Sequence, residues 1–547
     1  MEKSMTTKRI NTLHLLTLAT VLALAALGIS SAQAQTYTDL HDFDTPSLAS
    51  PQFPGILAQG QDGNIYGTTP SGGASGRGGV FQVTPAGAYS VIYNFDGVHG
   101  ANPYSGLTLA SDGSFLGGAF TNGAKFFGTA FKITSGGAIT VLHDFAPIEG
   151  VNPYAPPIQG SDGNYYGTTS TGAAGFGSVY KITSAGGFSV LFAFDGPHGS
   201  NPMAPLIQAM DGNFYGTTKV GGTFGFGTAF KITPAGALTV LYNFDSTHGS
   251  DVFSPLVQGT DGNFYGTTRD GGTKNNGGTI FKLTAAKKLT TLYSFNATGS
   301  TPDGTQPYAG LIQASDGIFY GVTARGGTNG AGTLFKITST GIYSKLYDFV
   351  AITGSFPSAT LRQHTNGKLY GEAMSGGGLG HGALFSFDLG LAPFILVQPT
   401  SGFVSQPVSI MGQGLLGTTS VKFNLTNASA NLLSDTYITT SVPTGATTGS
   451  VKVAIPGKTL KSGKFRVLPV VLSFNPPSGP VGTTVVITGN SLTGATQVTF
   501  GGAKKALFTV NSYTQITATV PVGAVTGTIQ VTTQGGTASS PTAFTVN

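Results

Sequence analysis

Three histidines recur in one short context: His99 in DGVHG, His198 in DGPHG and His248 in DSTHG, with Glu149 in the same place in PIEG between the first two. Imidazole and carboxylate bind transition metals, move protons near neutral pH and take hydrogen bonds from hydroxyls. Their spacing places them in successive copies of one unit, and units related by a rotation hold equivalent side chains too far apart for one ion. Hydrogen bonding within a turn or between units is therefore the plainer expectation, with ligand contact as the sharper one. A second set is Phe126, Phe176, Phe224 and Phe226, in glycine-rich loops where exposed rings would make stacking surfaces. Packing between units is the plainer expectation for them.

The acidic residues restrict catalysis. Asp and Glu total 22, of which three are Glu: Glu2, Glu149 and Glu372. Most aspartates fall in Asp-Gly turns or close a Phe-Asp strand end. A glycosidase needs two carboxylates facing across one bond. Asp251, Asp270, Asp303 and Glu149 are loop candidates, but no spacing pairs them. There is no nucleophile elbow, no cysteine of any kind and no metal-ligand signature. The Gly221 to Gly227 loop is followed by no helix whose N-terminus could hold phosphate. Asp-Gly-Asn turns lack the alternating oxygen ligands of a calcium loop. No cofactor is expected.

The element that positions these loops is DGNFYGTT, Asp211 to Thr218. Close copies begin at Asp62, Asp112, Asp162, Asp261, Asp316 and, in degraded form, Asn366. A period near 50 residues means one supersecondary unit used repeatedly. The fourth copy reads as a strand Pro205 to Met210, an Asp-Gly hairpin turn, a strand Asn213 to Thr218, a loop 219–227, a strand Thr228 to Thr233, a Pro-Ala-Gly turn and a strand Leu238 to Phe244. Leu238, Val240, Tyr242 and Phe244 should share one face, and Tyr215 and Phe230 should be core. A lone fourth strand, Tyr37 to Asp44, precedes the first copy, and Gly382 to Asp388 is a third strand with no fourth behind it. The N-terminal strand should complete the last unit. The expected fold of residues 35–392 is a seven-bladed β-propeller of four-stranded blades. The hydroxyl-rich long loops should share one face and the tight turns the other.

Residues 1–34 have a basic start (Lys3, Lys8, Arg9), an apolar run from Leu13 to Ile29 and Ala32-Gln33-Ala34, the three parts of a secretory signal. The net charge of +5 falls to +3 without them, and nothing in the balance points to nucleic acid. No second apolar run reaches membrane-spanning length. Only 9% of residues are charged and 84 are glycine, the composition of a secreted β protein with a hydroxyl-rich surface.

The units, GxDGNxYGTTxxGGxxGxGxxFKITxxGxxxxLYxFD, resemble the GloVer tandem repeats of bacterial exported proteins. The resemblance implies a cell-surface or secreted propeller. Beyond residue 392, Pro476-Pro477-Ser478-Gly479, Val485 to Gly489, Val498 to Gly502 and Ile516 to Pro521 resemble an IPT/TIG domain, an immunoglobulin-like β-sandwich, over residues 469–547. A degenerate copy, with Asn424 where the second has glycine, occupies 393–468. The resemblance implies binding or spacing and brings no catalytic residues. The whole reads as an all-β, exported, noncatalytic binding protein at the cell surface or outside it, the periplasm being the other compartment that fits. It is expected to be monomeric, with a glycan or cell-surface protein as partner. The alternatives are a carbohydrate-active lyase or hydrolase and a structural spacer.

Overall fold

The structure, a computed structural model, describes residues 35–547 apart from 46, 52–54, 298–301 and 503. The proposed export signal, 1–34, lies outside the described residues. Those described are all-β, in sheets mostly of four strands, as propeller blades have, and antiparallel except for one short parallel pair in each C-terminal unit, with short 3-10 turns and no α-helix among them.

Each repeat folds into its own sheet. In the fourth, Ile207–Gln208, Phe214–Thr218, Thr228–Ile232 and Leu238–Asn243 follow one another across the sheet. The first strand is much shorter than the sequence suggests, because it meets its neighbour at only two residue pairs. The fourth strand also departs from strict alternation. Its register slips between Ala229 and Phe230, which face Tyr242 and Val240 and leave Leu241 as a bulge turned into the core. The same slip recurs in other repeats.

The closing strand is where the sequence places it. Thr36–Asp42 pairs antiparallel with Ala383–Asp388, so the last sheet is built from both ends of the repeat region. The cores lie between sheets. One holds Ala58, Tyr66, Val80 and Phe95 with Leu107, Phe115 and Phe131 of the next repeat. Another joins Phe43, Tyr370 and Leu384 of the last sheet to Leu57, Ile65 and Phe81 of the first. The tyrosine-glycine pair of each copy follows from this packing. Gly216 faces Phe230 across the strand pair, and a Cβ there would lie 2.7 Å from the ring. Tyr215 and Phe230 are both buried, as their period implies.

Asp-Gly-Asn turns carry a side-chain network that explains the motif. Asp261 Oδ1 accepts the Asn263 N–H at 3.1 Å, and Oδ2 accepts from the Tyr265 hydroxyl at 2.7 Å and the Lys282 ammonium at 2.9 Å. A second device ties neighbours together. The Gln208 Oε1 accepts the Ser161 N–H of the preceding repeat at 2.8 Å, while its Nε2 donates to the Gly212 carbonyl of its own turn at 3.0 Å. Gln258, Gln313 and Gln363 repeat the arrangement. Gln59 accepts from Thr365, joining the first repeat to the last. In the second repeat the position is Leu109.

The C-terminal residues form two units of like topology. In the first, Leu396–Gln398, Pro407–Met411, Tyr437–Ser441 and Ala430–Ser434 make one sheet; Ser401–Gly402, Lys458–Val467, Gly449–Ile455, Ser420–Phe423 and Thr426–Ala428 make the other. The strands of residues 470–546 follow the same order. Each unit has its own core, around Phe423 and Phe465 in the first and Phe500 and Phe544 in the second. The first unit sits on the tight-turn side of the repeats. Thr436 Oγ1 donates to the Gln61 carbonyl at 2.8 Å, and Gln398 Nε2 donates to the Leu109 carbonyl at 2.8 Å, where the glutamine series is interrupted.

Candidate functional site

With the tight-turn side occupied, the long-loop face is the one whose loops stand clear of the C-terminal units. Each His-Gly loop is fixed through its backbone and displays its side chain. The His198 carbonyl accepts from Thr228 Oγ1 at 3.1 Å, and those of His99 and His248 accept from Thr129 and Thr279. The following glycine has no room for a side chain: at Gly199, with φ +117°, a Cβ would fall 2.4 Å from Thr218 Oγ1.

Each histidine pairs with the aspartate three residues earlier. His198 Nδ1 lies 2.7 Å from Asp195 Oδ2, His248 Nδ1 lies 2.8 Å from Asp245 Oδ1, and His99 Nδ1 lies 3.2 Å from Asp96 Oδ2. Partial burial would raise the Asp245 carboxyl, but hydrogen bonds from the His248 backbone and ring outweigh it and hold its pKa below the ordinary value. Asp96 and Asp195 behave alike. Chemically these are Asp–His pairs whose Nε2 edges can exchange hydrogen bonds with a hydroxylated ligand. Glu149 differs, since it pairs with His143 Nε2 at 3.0 Å and Lys125 at 3.6 Å. His143 stacks on Phe188, and burial lowers its pKa. The four residues therefore hold equivalent places, each beside its own partner. Among the described residues no group of three or more His, Asp or Glu converges as a metal site requires.

The loop aromatics do not pack between repeats as the plainer expectation had it. Phe126 is 76% exposed and Phe224 57%, with Phe176 and Phe226 near 40%. The glycines flanking them carry the chain through positive φ (Gly225 +82°, Gly227 +102°), which lifts the ring out of the sheet. They occupy the second, third and fourth repeats. At the Phe226 position the second and third repeats have Phe127 and Phe176, whereas the fifth, sixth and seventh have Gly277, Ala331 and His381, so the aromatic stretch at that position is one-sided.

A further cluster lies where second strands end and the chain approaches the next first strand, on the same face. Arg269 bridges Asp251 at 3.2 Å and Asp270 at 2.6 Å, which brings together two carboxylates that no spacing pairs. Its guanidinium lies 5.4 Å from the Tyr308 ring and 5.7 Å from Phe253, and the Lys219 ammonium lies 4.8 Å from Phe253. Three repeats earlier, Tyr104 and Tyr154 stack at 5.2 Å with Phe120 edge-on to both. Sequence reasoning passed over this cluster. The signal was the residue directly after each second strand, which runs Pro70, Phe120, Ser170, Lys219, Arg269, Ala324 and varies where its neighbours repeat.

These features define a tandem-repeat protein of four-stranded antiparallel sheets that ends in an IPT/TIG domain, the family matched by residues 469–546. The Gloeobacter/Verrucomicrobia repeat family matches residues 50–277 and 248–424, and the chain belongs to it. No curated protein matches the chain. Among solved structures it is similar to the surface glycan-binding protein PbSGBP-B from Prevotella bryantii, at 21% identity over 26% of this chain and 38% of that one, with a TM-score of 0.22. It is also similar to a fungal alcohol oxidase of the AA5 family in complex with copper, at 13% identity over 79% of this chain and 98% of that one, with a TM-score of 0.45. The gluconolactonase XC5397 from Xanthomonas campestris is 12% identical over 65% of this chain and 90% of that one, with a TM-score of 0.36. Likenesses at these scores carry no argument about function. No helix among the described residues is long and apolar enough to cross a membrane.

Proposed function

We propose that the chain is a closed seven-bladed propeller followed by two immunoglobulin-like modules, exported from the cell, and that its long-loop face binds glycans without catalysing a reaction. The observation that carries this reading is the exposure of Phe126, Phe176, Phe224 and Phe226 on three successive repeats. A pyranose offers an apolar C–H face to an aromatic ring and hydroxyls to polar neighbours, and single rings set among Asp–His pairs supply both. The noncatalytic part rests on the carboxylates. Asp251 and Asp270 are both ion-paired with one arginine, Arg269, Glu149 is held by His143 and Lys125, and Glu372 is buried.

The test is a glycan array probed with the chain lacking residues 1–34, beside a Phe126→Ala/Phe224→Ala variant of equal thermal stability. Saturable binding to a glycan class, weakened at least about tenfold by the double substitution, is expected from the loss of two stacking contacts. Binding that the substitutions leave unchanged would remove the aromatic loops from the site, and turnover of a bound glycan would overturn the noncatalytic assignment.

A further inference from the structure

The first residue of each first strand faces the same way, because all seven pair with equivalent positions: Ala58, Thr108, Ile158, Ile207, Val257 and Ile312 in six repeats, and Arg362 in the seventh. A cavity of about 850 Å³ lies between five of these strands and the first C-terminal unit, with Arg362 in its wall. Arg362 is partly exposed and lines this cavity. Its Nε is buried without a hydrogen-bond partner. Burial alone acts on its pKa, downward, and no carboxylate offsets it. The covering unit contributes the second cation in the wall, Arg466, which donates to the Met210 carbonyl.

A largely buried guanidinium with no counter-charge is destabilising and is ordinarily paired. Its planar fork matches a carboxylate, which accepts two parallel N–H bonds. About half of the remaining lining residues are apolar, Ile158, Ile207, Leu396 and Val397 among them, and the others are mostly Gln, Ser and Thr. The volume is far larger than a halide needs and has room for an apolar body behind the charge. We infer that this chamber binds a small organic carboxylate, whose carboxylate group is taken by Arg362 and whose hydrocarbon part lies against the aliphatic residues of the wall. The site is separate from the long-loop face and does not depend on the glycan reading.

Thermal unfolding of the full chain without residues 1–34 tests this in three arms: hexanoate, 1-hexanol and chloride at matched ionic strength. Hexanoate should raise the midpoint saturably, while hexanol and chloride should not. Arg362→Met should unfold at a higher temperature than wild type without ligand, since a buried unpaired charge is gone, and should lose the hexanoate response. Arg362→Lys, which keeps the charge without the fork, should bind at least about tenfold more weakly. Equal effects of chloride and hexanoate on the wild type would overturn the assignment to an organic carboxylate. A hexanoate response that is the same in wild type and Arg362→Met would overturn the site itself, and the wild-type arms decide even where a variant is unstable.

Discussion

Replacing Glu372 with glutamine should stabilise the protein near neutral pH and do progressively less as the pH falls. Glu372 lies in the second strand of the last sheet, where Thr68, Thr217 and Thr267 each donate a hydroxyl hydrogen bond to a carbonyl of the next repeat. The carboxyl is fully buried, its Oε1 has no partner, and the nearby Tyr89 hydroxyl is likewise unpaired. Burial raises its pKa from 4.5 to about 8. Between those values the unfolded chain has released the proton and the folded chain retains it, so unfolding gains on folding as the pH rises. Each pH unit in that window is worth about 1.4 kcal/mol. Near pH 7 the wild type is therefore destabilised by about 3 kcal/mol relative to acid, or nearer 2 kcal/mol once local relaxation is allowed. Below about pH 4.5 the carboxyl is protonated in both states and the term vanishes. The assay is a series of thermal or urea midpoints for wild type and Glu372→Gln from pH 4 to 8. The gap between the two should widen steadily in favour of the variant as the pH rises. A gap that stays flat across the series would refute the argument, since a neutral Glu372 is its premise.

Two further outcomes follow from the repeated networks. Gln258→Leu reproduces the natural gap at Leu109 and strips the Met210 N–H and the Gly262 carbonyl of their side-chain partner, so the unfolding midpoint should fall by the equivalent of about 1–2 kcal/mol. Asp261→Asn should destabilise the protein by about 1 kcal/mol near pH 6, the carboxylate being partly solvent-screened. Although burial alone would raise that carboxyl, hydrogen bonds from Asn263, Lys282 and Tyr265 hold its pKa far below 3.8. Its contribution is thus present above the ordinary carboxylate pKa and is lost as the pH falls further, so the gap between the two proteins' urea midpoints should be smaller near pH 2 than near pH 6.

The sequence alone determined the unit and its closure. A period near 50 residues, an Asp-Gly turn in each copy and a stray fourth strand at the N-terminus leave few ways to satisfy the backbone hydrogen bonds, and Thr36–Asp42 pairs where that reasoning puts it. The glycine of each Tyr-Gly step, the buried Tyr215 and Phe230, and the common place of His99, His198 and His248 were legible for the same reason: local chemistry repeated in register. Strand lengths and the Leu241 bulge were not, because they depend on how far a sheet twists before its inner strand meets its neighbours. Only the tertiary structure decided which side chains meet across repeats. Asp251 and Asp270 share Arg269, and Phe126 and Phe224 stand exposed where packing was the plainer expectation. Arg362, unremarkable in a linear reading, becomes an unpaired charge on a cavity once the first strands of four other repeats and the first C-terminal unit gather around it. Burial and desolvation are properties of the assembled repeats, and a sequence read one repeat at a time holds no record of them.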